Sequence, residues 1–370
     1  MAPYVVIAII ALVFPWISRV TARKYRPIVT KSAANQAGAS TRRITIMDLV
    51  TLLVLIIFAG TRSIFVGTDT SIYAVFFTRI DPGDWALSIE ASPFEVGYTV
   101  LALVVKMFGG NFTTLLLVAS TITVGAAFWA IKRIALDVPL AILLYVLLAF
   151  YLTPMNLLRQ GVAVSLVLLA STFIIARVRL RGLIVFLCLI GVAASFHATA
   201  VIVAVVILLL RRVRITFRNA LWILTVGAAG VTAIWASGWF SAVIALVNPR
   251  YEIYGDIQAT GGLGSYLILG FTIVLALWAL VLRPAREDAP LATLVLVGCI
   301  ALLLGTQFIY AVRFADYFTI FLVLLLPNVL KTAEVATGRR VFLVLVSAAY
   351  YIAYLSNFGD LVPYRSTISL

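Results

Sequence analysis

The chain has 370 residues, of which 64% are hydrophobic and only 11% carry a charge. Soluble domains carry about 25% charged residues, so this composition excludes a soluble globular protein. The mean hydropathy of +1.14 and the repeated long apolar runs indicate an all-α protein that crosses a membrane many times. The formal net charge of +14 then reports membrane topology rather than nucleic-acid binding, because Lys and Arg accumulate in cytoplasmic loops.

Six basic clusters hold 21 of the 28 Lys and Arg residues and mark the predicted cytoplasmic loops. These clusters lie at residues 19–43, 132–133, 177–181, 211–218, 283–286 and 331–340. About twelve transmembrane helices are expected between them, at residues 4–20, 44–61, 112–131, 139–153, 156–176, 182–194, 198–210, 219–236, 265–282, 290–305, 314–330 and 341–356. The outer side then holds residues 62–93, residues 248–264 and the C-terminus.

Residues 94–108, FEVGYTVLALVVKMF, break this alternation. If they crossed the membrane, every later basic cluster would face outwards. We therefore expect a re-entrant or interfacial helix on the outer side. The whole chain is expected to form a single transmembrane domain, in which 1–43 is an N-terminal helix with a basic cytoplasmic loop, 44–330 is the core, and 331–370 is a C-terminal loop with the last helix.

The unusual polar residues of the spans fall on the outer side of this topology. Arg159 and Gln160 begin a span that is otherwise apolar, and the only histidine, His197, lies at the turn between two short spans. Ionisable side chains inside a bilayer are costly, so their common depth predicts a shared site. The other candidates at this depth are Glu95, Arg313, Asp316, Asp69, Tyr73, Tyr98, Arg250, Tyr251 and Tyr254.

Each candidate also has an ordinary structural interpretation. An arginine at the end of a span often anchors in the headgroups, a lone histidine in a turn is more often a packing residue, and interfacial tyrosines form aromatic belts. Arg313 and Asp316 are three residues apart on one helix, so they could form an ion pair with each other and neutralise their charges. Their common location nevertheless favours a site, in which two arginines suit a phosphate or diphosphate and the carboxylates suit sugar hydroxyls. The sequence has no Gly-rich phosphate loop and no His/Cys ligand set, so we expect neither a cofactor nor a metal.

The ordered motifs GTDTSIY, FEVGY, NLLRQGVAVSL, SFHATA and RFADYF, the last followed by LLLP, resemble the EpsG family of Wzy-like polysaccharide polymerases over about residues 60–330. The resemblance implies a bacterial glycosyltransferase of the inner membrane that builds exopolysaccharide, capsule or O-antigen-like chains. Its implied donor and acceptor are polyprenyl-diphosphate-linked glycans, of the undecaprenyl diphosphate type, on the outer face. Implied partners are the lipid bilayer, a chain-length regulator and a flippase protein, and no nucleic acid.

Residue chemistry and resemblance together predict a mechanism. Arg159 and Arg313 hold the donor diphosphate and stabilise the charge that it gains as it leaves. His197, or else Glu95 or Asp69, takes the proton of the acceptor hydroxyl. Substrate-binding roles are expected for Asp316, which would orient an arginine, and for Gln160, Arg250, Tyr73, Tyr98, Tyr251 and Tyr254.

Two other functional classes stay open. A flippase for the same lipid-linked glycans would also need arginines in a membrane cavity, but it should place them near the midplane between repeated halves. A membrane O-acyltransferase would use the histidine with an acyl donor that arrives from the cytoplasm. The one-sided distribution of polar residues favours the polymerase.

Overall fold

The computed structural model describes residues 1–24, 44–175, 178–237, 263–307 and 309–367, and within them the fold is all-helical, as predicted. The described helices are, in chain order, α1 (Ala2–Lys24), α2 (Ile46–Gly60), α3 (Thr70–Arg79), α4 (Trp85–Glu90), α5 (Val96–Met107), α6 (Phe112–Ile134), α7 (Val138–Leu147), α8 (Thr153–Asn156), α9 (Leu158–Ser171), α10 (Leu180–Phe196), α11 (Ala200–Leu210), α12 (Phe217–Ala236), α13 (Leu263–Val281), α14 (Ala289–Gly305), α15 (Ile309–Thr319), α16 (Leu322–Thr332) and α17 (Thr337–Asn357). Each predicted span overlaps one helix or two consecutive helices.

The described helices differ in their ability to cross a bilayer. Five stretches in this part of the chain are long and apolar enough: Ala2–Thr21, Phe112–Ile134, Gly264–Val281, Ala311–Thr332 and Thr337–Asn357. Other apolar helices, among them α2, α9 and α10, have 10–17 residues, whereas a full crossing takes about 20. The membrane character is therefore supported, and the predicted count of about twelve spans is not confirmed.

The chain forms two compact units, Met1–Val205 with Glu334–Leu370, and Val206–Ala333. In the first unit, α6 packs against α2 and α9, α1 packs against α2 and α7, and α10 packs against α5 and α9. In the second unit, α14 packs against α12, α13, α15 and α16. The expectation of a single transmembrane domain stays a prediction.

Ion pairs join several helix ends at one end of the first unit. Lys132 Nζ, near the C-terminus of α6, lies 2.8 Å from Asp48 Oδ2 in the first turn of α2, and both side chains are buried. Ser18 Oγ donates to the other oxygen of Asp48 at 3.0 Å. Arg19 of α1 donates two hydrogen bonds of 2.9 and 3.0 Å to Asp137, which precedes α7. Because these helix ends carry basic residues that were predicted to be cytoplasmic, we call this the basic end.

The opposite end of the first unit is closed by residues 358–367, the tail segment. Backbone hydrogen bonds of 2.7 and 2.8 Å tie it to residues 61–63, just after α2. Tyr364 stacks on Phe58, with ring centroids 4.1 Å apart, and donates to the Phe58 carbonyl at 2.7 Å. Tyr4 Oη of α1 donates to the tail segment at 2.6 Å. We call this the tail end.

The predicted outer loop 62–93 contains two short helices, α3 and α4, that the sequence did not predict. Asp84 caps α4 by accepting a 3.0 Å hydrogen bond from Leu87 N. Residues 238–262, with the predicted substrate-binding residues of the second outer loop, lie outside the described residues, as do residues 25–43 of the basic loop. The residues concerned in the second outer loop are Arg250, Tyr251 and Tyr254.

Candidate functional site

Three ionisable side chains meet where α5, α9 and α10 approach each other. Glu95 immediately precedes α5, Arg159 lies in the first turn of α9, and His197 directly follows α10. His197 Nδ1 lies 3.0 Å from Glu95 Oε1, and Arg159 Nη1 pairs with Glu95 Oε2. The side chains are 22% (Arg159), 27% (Glu95) and 22% (His197) exposed, so they are accessible but partly desolvated. One carboxylate thus joins two predicted site residues that are distant in sequence; we call the three the Glu95 cluster.

The Glu95 cluster lies at the tail end of the first unit. Asn156, just before α9, accepts a 2.8 Å hydrogen bond from Thr68 N. Gly359 of the tail segment has a φ of +74° and leaves no room for a Cβ beside the Asn156 amide. The other end of α9 lies at the basic end, because Arg133 Nε, near the C-terminus of α6, donates to Thr172 Oγ1 at 3.0 Å. The cluster and the predicted cytoplasmic basic residues are therefore at opposite ends.

Both ends of α5 lie at the tail end. Its N-terminus holds Glu95, and its 12 residues make a helix about 18 Å long. A short turn then leads to the start of α6, where Thr113 Oγ1 lies 3.5 Å from Thr367 Oγ1 of the tail segment. Lys106 in the last turn of α5 donates to the Ile80 carbonyl after α3 at 2.6 Å. Both ends of α5 thus lie on one side of the first unit, and the re-entrant or interfacial position of this helix stays a prediction.

Gly97 allows α5 to approach α10. A Cβ at this position would lie 2.7 Å from the Ser195 carbonyl oxygen and closer still to its hydroxyl, which is well inside van der Waals contact. The two helices therefore pack directly where Glu95 reaches His197. The motif FEVGY combines a carboxylate with the small residue that brings it to the histidine.

Aromatic rings support the guanidinium of Arg159. Its Cζ lies 4.5 Å from the ring centroid of Phe94 and 6.0 Å from that of Tyr73. Phe94 packs in turn against Tyr73 and Tyr98, with centroids 5.3 and 5.2 Å apart. Tyr73 and Tyr98 are 4% and 0% exposed. In this arrangement their rings hold Phe94 and Arg159 in place and do not present a surface to a glycan.

The remaining predicted residues occupy different surroundings. Gln160 is 4% exposed and lies inside the first unit beside Arg159. Asp69 precedes α3, and its carboxylate accepts a 3.3 Å hydrogen bond from Thr68 Oγ1. Arg313 and Asp316 lie on α15 in the second unit, the first exposed and the second half-buried. Their participation in a site with the Glu95 cluster stays a prediction. The described residues contain no group of three or more His, Cys, Asp or Glu residues that could hold a metal ion.

Arg62 is a buried arginine at the tail end that the sequence did not single out. It is 2% exposed, and its Nη1 donates to the Ala59 carbonyl at the end of α2. Burial lowers the pKa of Arg62 to about 10, so the guanidinium stays charged at neutral pH. Its Nε and Nη2 have no hydrogen-bond partner among the described residues. A cavity of about 10 Å³, lined also by Ser120 and Tyr151, lies beside it and has room for about one water.

The model of the EpsG family matches residues 45–366. The chain belongs to the EpsG family. The family match extends beyond the sequence motifs at both ends and includes the tail segment through residue 366. Membership in the EpsG family places the chain among membrane proteins of the polysaccharide-polymerase type. No curated protein and no solved structure matches.

Proposed function

We propose that this EpsG family protein is a glycosyltransferase that polymerises polyprenyl-diphosphate-linked glycan repeat units on the outer face of the bacterial inner membrane. The observation that carries the proposal is the double contact of Glu95 with Arg159 and His197. A guanidinium binds and stabilises an anionic leaving group, and an imidazole transfers a proton. The Glu95 cluster holds both groups on one carboxylate, at the end opposite the basic end.

Glu95 determines the tautomer of His197. A carboxylate 3.0 Å from Nδ1 accepts the Nδ1–H hydrogen bond, so the ring lone pair is on Nε2. Nε2 then takes the proton of an acceptor-sugar hydroxyl while that oxygen forms the new bond to the anomeric carbon of the donor. The bond from the anomeric carbon to the diphosphate breaks, and the diphosphate keeps the electron pair. Glu95 stabilises the imidazolium that results, so His197 is the proposed general base and Glu95 a positioning residue.

Arg159 is the proposed ligand of the diphosphate. Glu95 holds Nη1, and the Phe94 ring lies against the face of the guanidinium. The Arg159 side chain is 22% exposed, so a ligand can reach part of the guanidinium. A planar guanidinium fixed in this way can offer paired donors to phosphate oxygens, whose charge rises as the diphosphate leaves. We keep Arg313 as a second ligand of the diphosphate and Asp316 as the residue that orients it.

The position of the cluster favours this function over the two alternatives. A flippase needs charge near the midplane and access from both faces, whereas the Glu95 cluster lies at one end of the first unit. An O-acyltransferase with a cytoplasmic acyl donor needs its histidine near the basic end, which is the end opposite His197.

The experiment that tests the proposal is Arg159→Lys, with Arg179→Lys at an exposed position as the matched control. Lysine keeps the charge beside Glu95 but cannot reproduce the planar fork. We expect a loss of polymerisation rate of about 30- to 1,000-fold, equivalent to about 2–4 kcal/mol of transition-state stabilisation, at unchanged abundance. Lipid-linked glycan one repeat unit long should accumulate. Polymer made at the wild-type rate by Arg159→Lys would instead assign this residue to headgroup anchoring.

A further inference from the structure

A large cavity lies between α3, α4 and the turn that precedes α5. Its volume is about 750 Å³, within the range of about 300–1,000 Å³ of pockets that hold small molecules. Most of its lining is apolar and includes Ile72, Val75, Leu87 and Phe94. Ile72, Val75 and Leu87 are 57%, 49% and 60% exposed, so the cavity is open and presents hydrocarbon to whatever enters it.

One residue, Phe94, links the lining of the cavity to the Glu95 cluster. Phe94 lines the cavity, and the guanidinium of Arg159 lies 4.5 Å from its ring centroid. Glu95 is the next residue in the chain. The guanidinium of Arg159 therefore lies one aromatic ring away from a mostly apolar cavity. This combination suits a ligand that is anionic at one end and hydrocarbon at the other.

The lining has four polar residues, of which Asp81 and Ser88 are hydrogen bonded within the protein, whereas Ser71 and Arg79 of α3 are exposed. Ser88 Oγ is hydrogen bonded to the backbone N and O of Asp81, at 3.0 and 3.1 Å. The Asp81 carboxylate accepts a 2.8 Å hydrogen bond from Gly83 N. The apolar residues are nevertheless the larger part of the lining and suit a hydrocarbon chain.

We propose that this cavity binds the isoprenoid chain of the donor lipid, in the part that adjoins the diphosphate. The inference rests on the proposed function, since it assumes that Arg159 holds that diphosphate. An isoprene chain that enters the cavity comes from the bilayer and not from water, so van der Waals packing against the lining is what adds to binding. The cavity then selects a polyprenyl carrier over other anions and places its diphosphate at Arg159.

The test fills the cavity without removing a polar group. Val75→Trp adds bulk at a lining position that is 49% exposed, and Val5→Trp on α1 is the control, because Val5 is 47% exposed and lies outside the lining. The full chain, in nanodiscs of phosphatidylethanolamine, is titrated with farnesyl diphosphate and with inorganic diphosphate. We expect Val75→Trp to weaken farnesyl diphosphate binding about tenfold or more and to leave inorganic diphosphate binding unchanged. If Val75→Trp does not fold, Ile72→Trp replaces it.

The outcomes separate this inference from the proposed function. Equal affinities for farnesyl diphosphate in Val75→Trp and Val5→Trp would overturn the cavity assignment, and so would equal weakening of both probes by Val75→Trp. Competition by phosphatidylglycerol as effective as that by farnesyl diphosphate would make the cavity a general lipid surface and overturn it too. Failure of the wild-type protein to bind either diphosphate would instead contradict the proposed role of Arg159, and with it the premise of the cavity assignment.

Discussion

Glu95→Gln removes one charge from the centre of the site and keeps the shape of the side chain. The carboxylate is 27% exposed, so its ion pair with Arg159 is partly screened, and we expect stability to change by about 1 kcal/mol or less. Activity should change much more. The glutamine amide can turn its NH2 group to Nδ1 of His197, which moves the ring proton to Nε2. In that tautomer Nε2 cannot accept a proton from the acceptor sugar.

The expected size follows from the loss of the general base. Such bases contribute about 10²–10⁴-fold, or about 2.7–5.4 kcal/mol. The assay follows polymer formed by purified protein from a radiolabelled lipid-linked repeat unit, with thermal unfolding measured on the same samples. Glu90→Gln, at an exposed position on α4, is the matched control. A Glu95→Gln enzyme within twofold of the wild-type rate would refute the argument that Glu95 sets the tautomer of His197.

Three further predictions concern packing, stability and topology. Gly97→Ala should push α5 away from α10 and lower the polymerisation rate about 10- to 100-fold, with a loss of about 1–3 kcal/mol in the free energy of unfolding. An unchanged rate would show that the close approach is dispensable. Lys132→Met leaves the Asp48 carboxylate buried without its cation and should lower the free energy of unfolding by about 3–5 kcal/mol. In denaturant titrations, the double variant Lys132→Met with Asp48→Leu should recover most of this loss. In a cysteine-free background, Glu90→Cys should react with an impermeant maleimide in intact spheroplasts. Thr337→Cys should react only after permeabilisation. The reverse labelling pattern would show that the predicted topology is inverted.

The membership of the Glu95 cluster could be predicted from the sequence, but its connections could not. Arg159, His197 and Glu95 stand out because ionisable residues in apolar runs are rare and costly. The distribution of Lys and Arg assigned them to a common side. Which carboxylate binds which cation depends on how closely α5 packs on α10, and that is decided by the absence of a side chain at Gly97. No periodicity in the sequence reports such a contact.

Arg62 shows a second limit of prediction from the sequence. It follows an apolar helix directly, a position from which arginines ordinarily reach water or headgroups. Its burial depends on the tail segment, which is about 300 residues away in the chain and covers the end of α2. Helices α3 and α4 were missed because 10 and 6 residues in a polar segment carry too little pattern to distinguish a helix from a loop. The number of crossings is equally hidden, since several of the predicted spans form apolar helices of 10–17 residues, shorter than the about 20 residues of a full crossing.

The tail segment bears on how the topology of this protein should be mapped. Nested C-terminal truncations fused to a reporter enzyme would remove residues 358–367 from every fusion. Each shortened chain would lose the stacking of Tyr364 on Phe58 and the backbone pairing with residues 61–63, and would uncover Arg62. The charged guanidinium would then be free to draw the end of α2 towards the aqueous phase. The reporter would therefore give the topology of a chain without its tail segment, which can differ from that of the full-length protein. Reporters inserted within the full-length chain avoid this artefact.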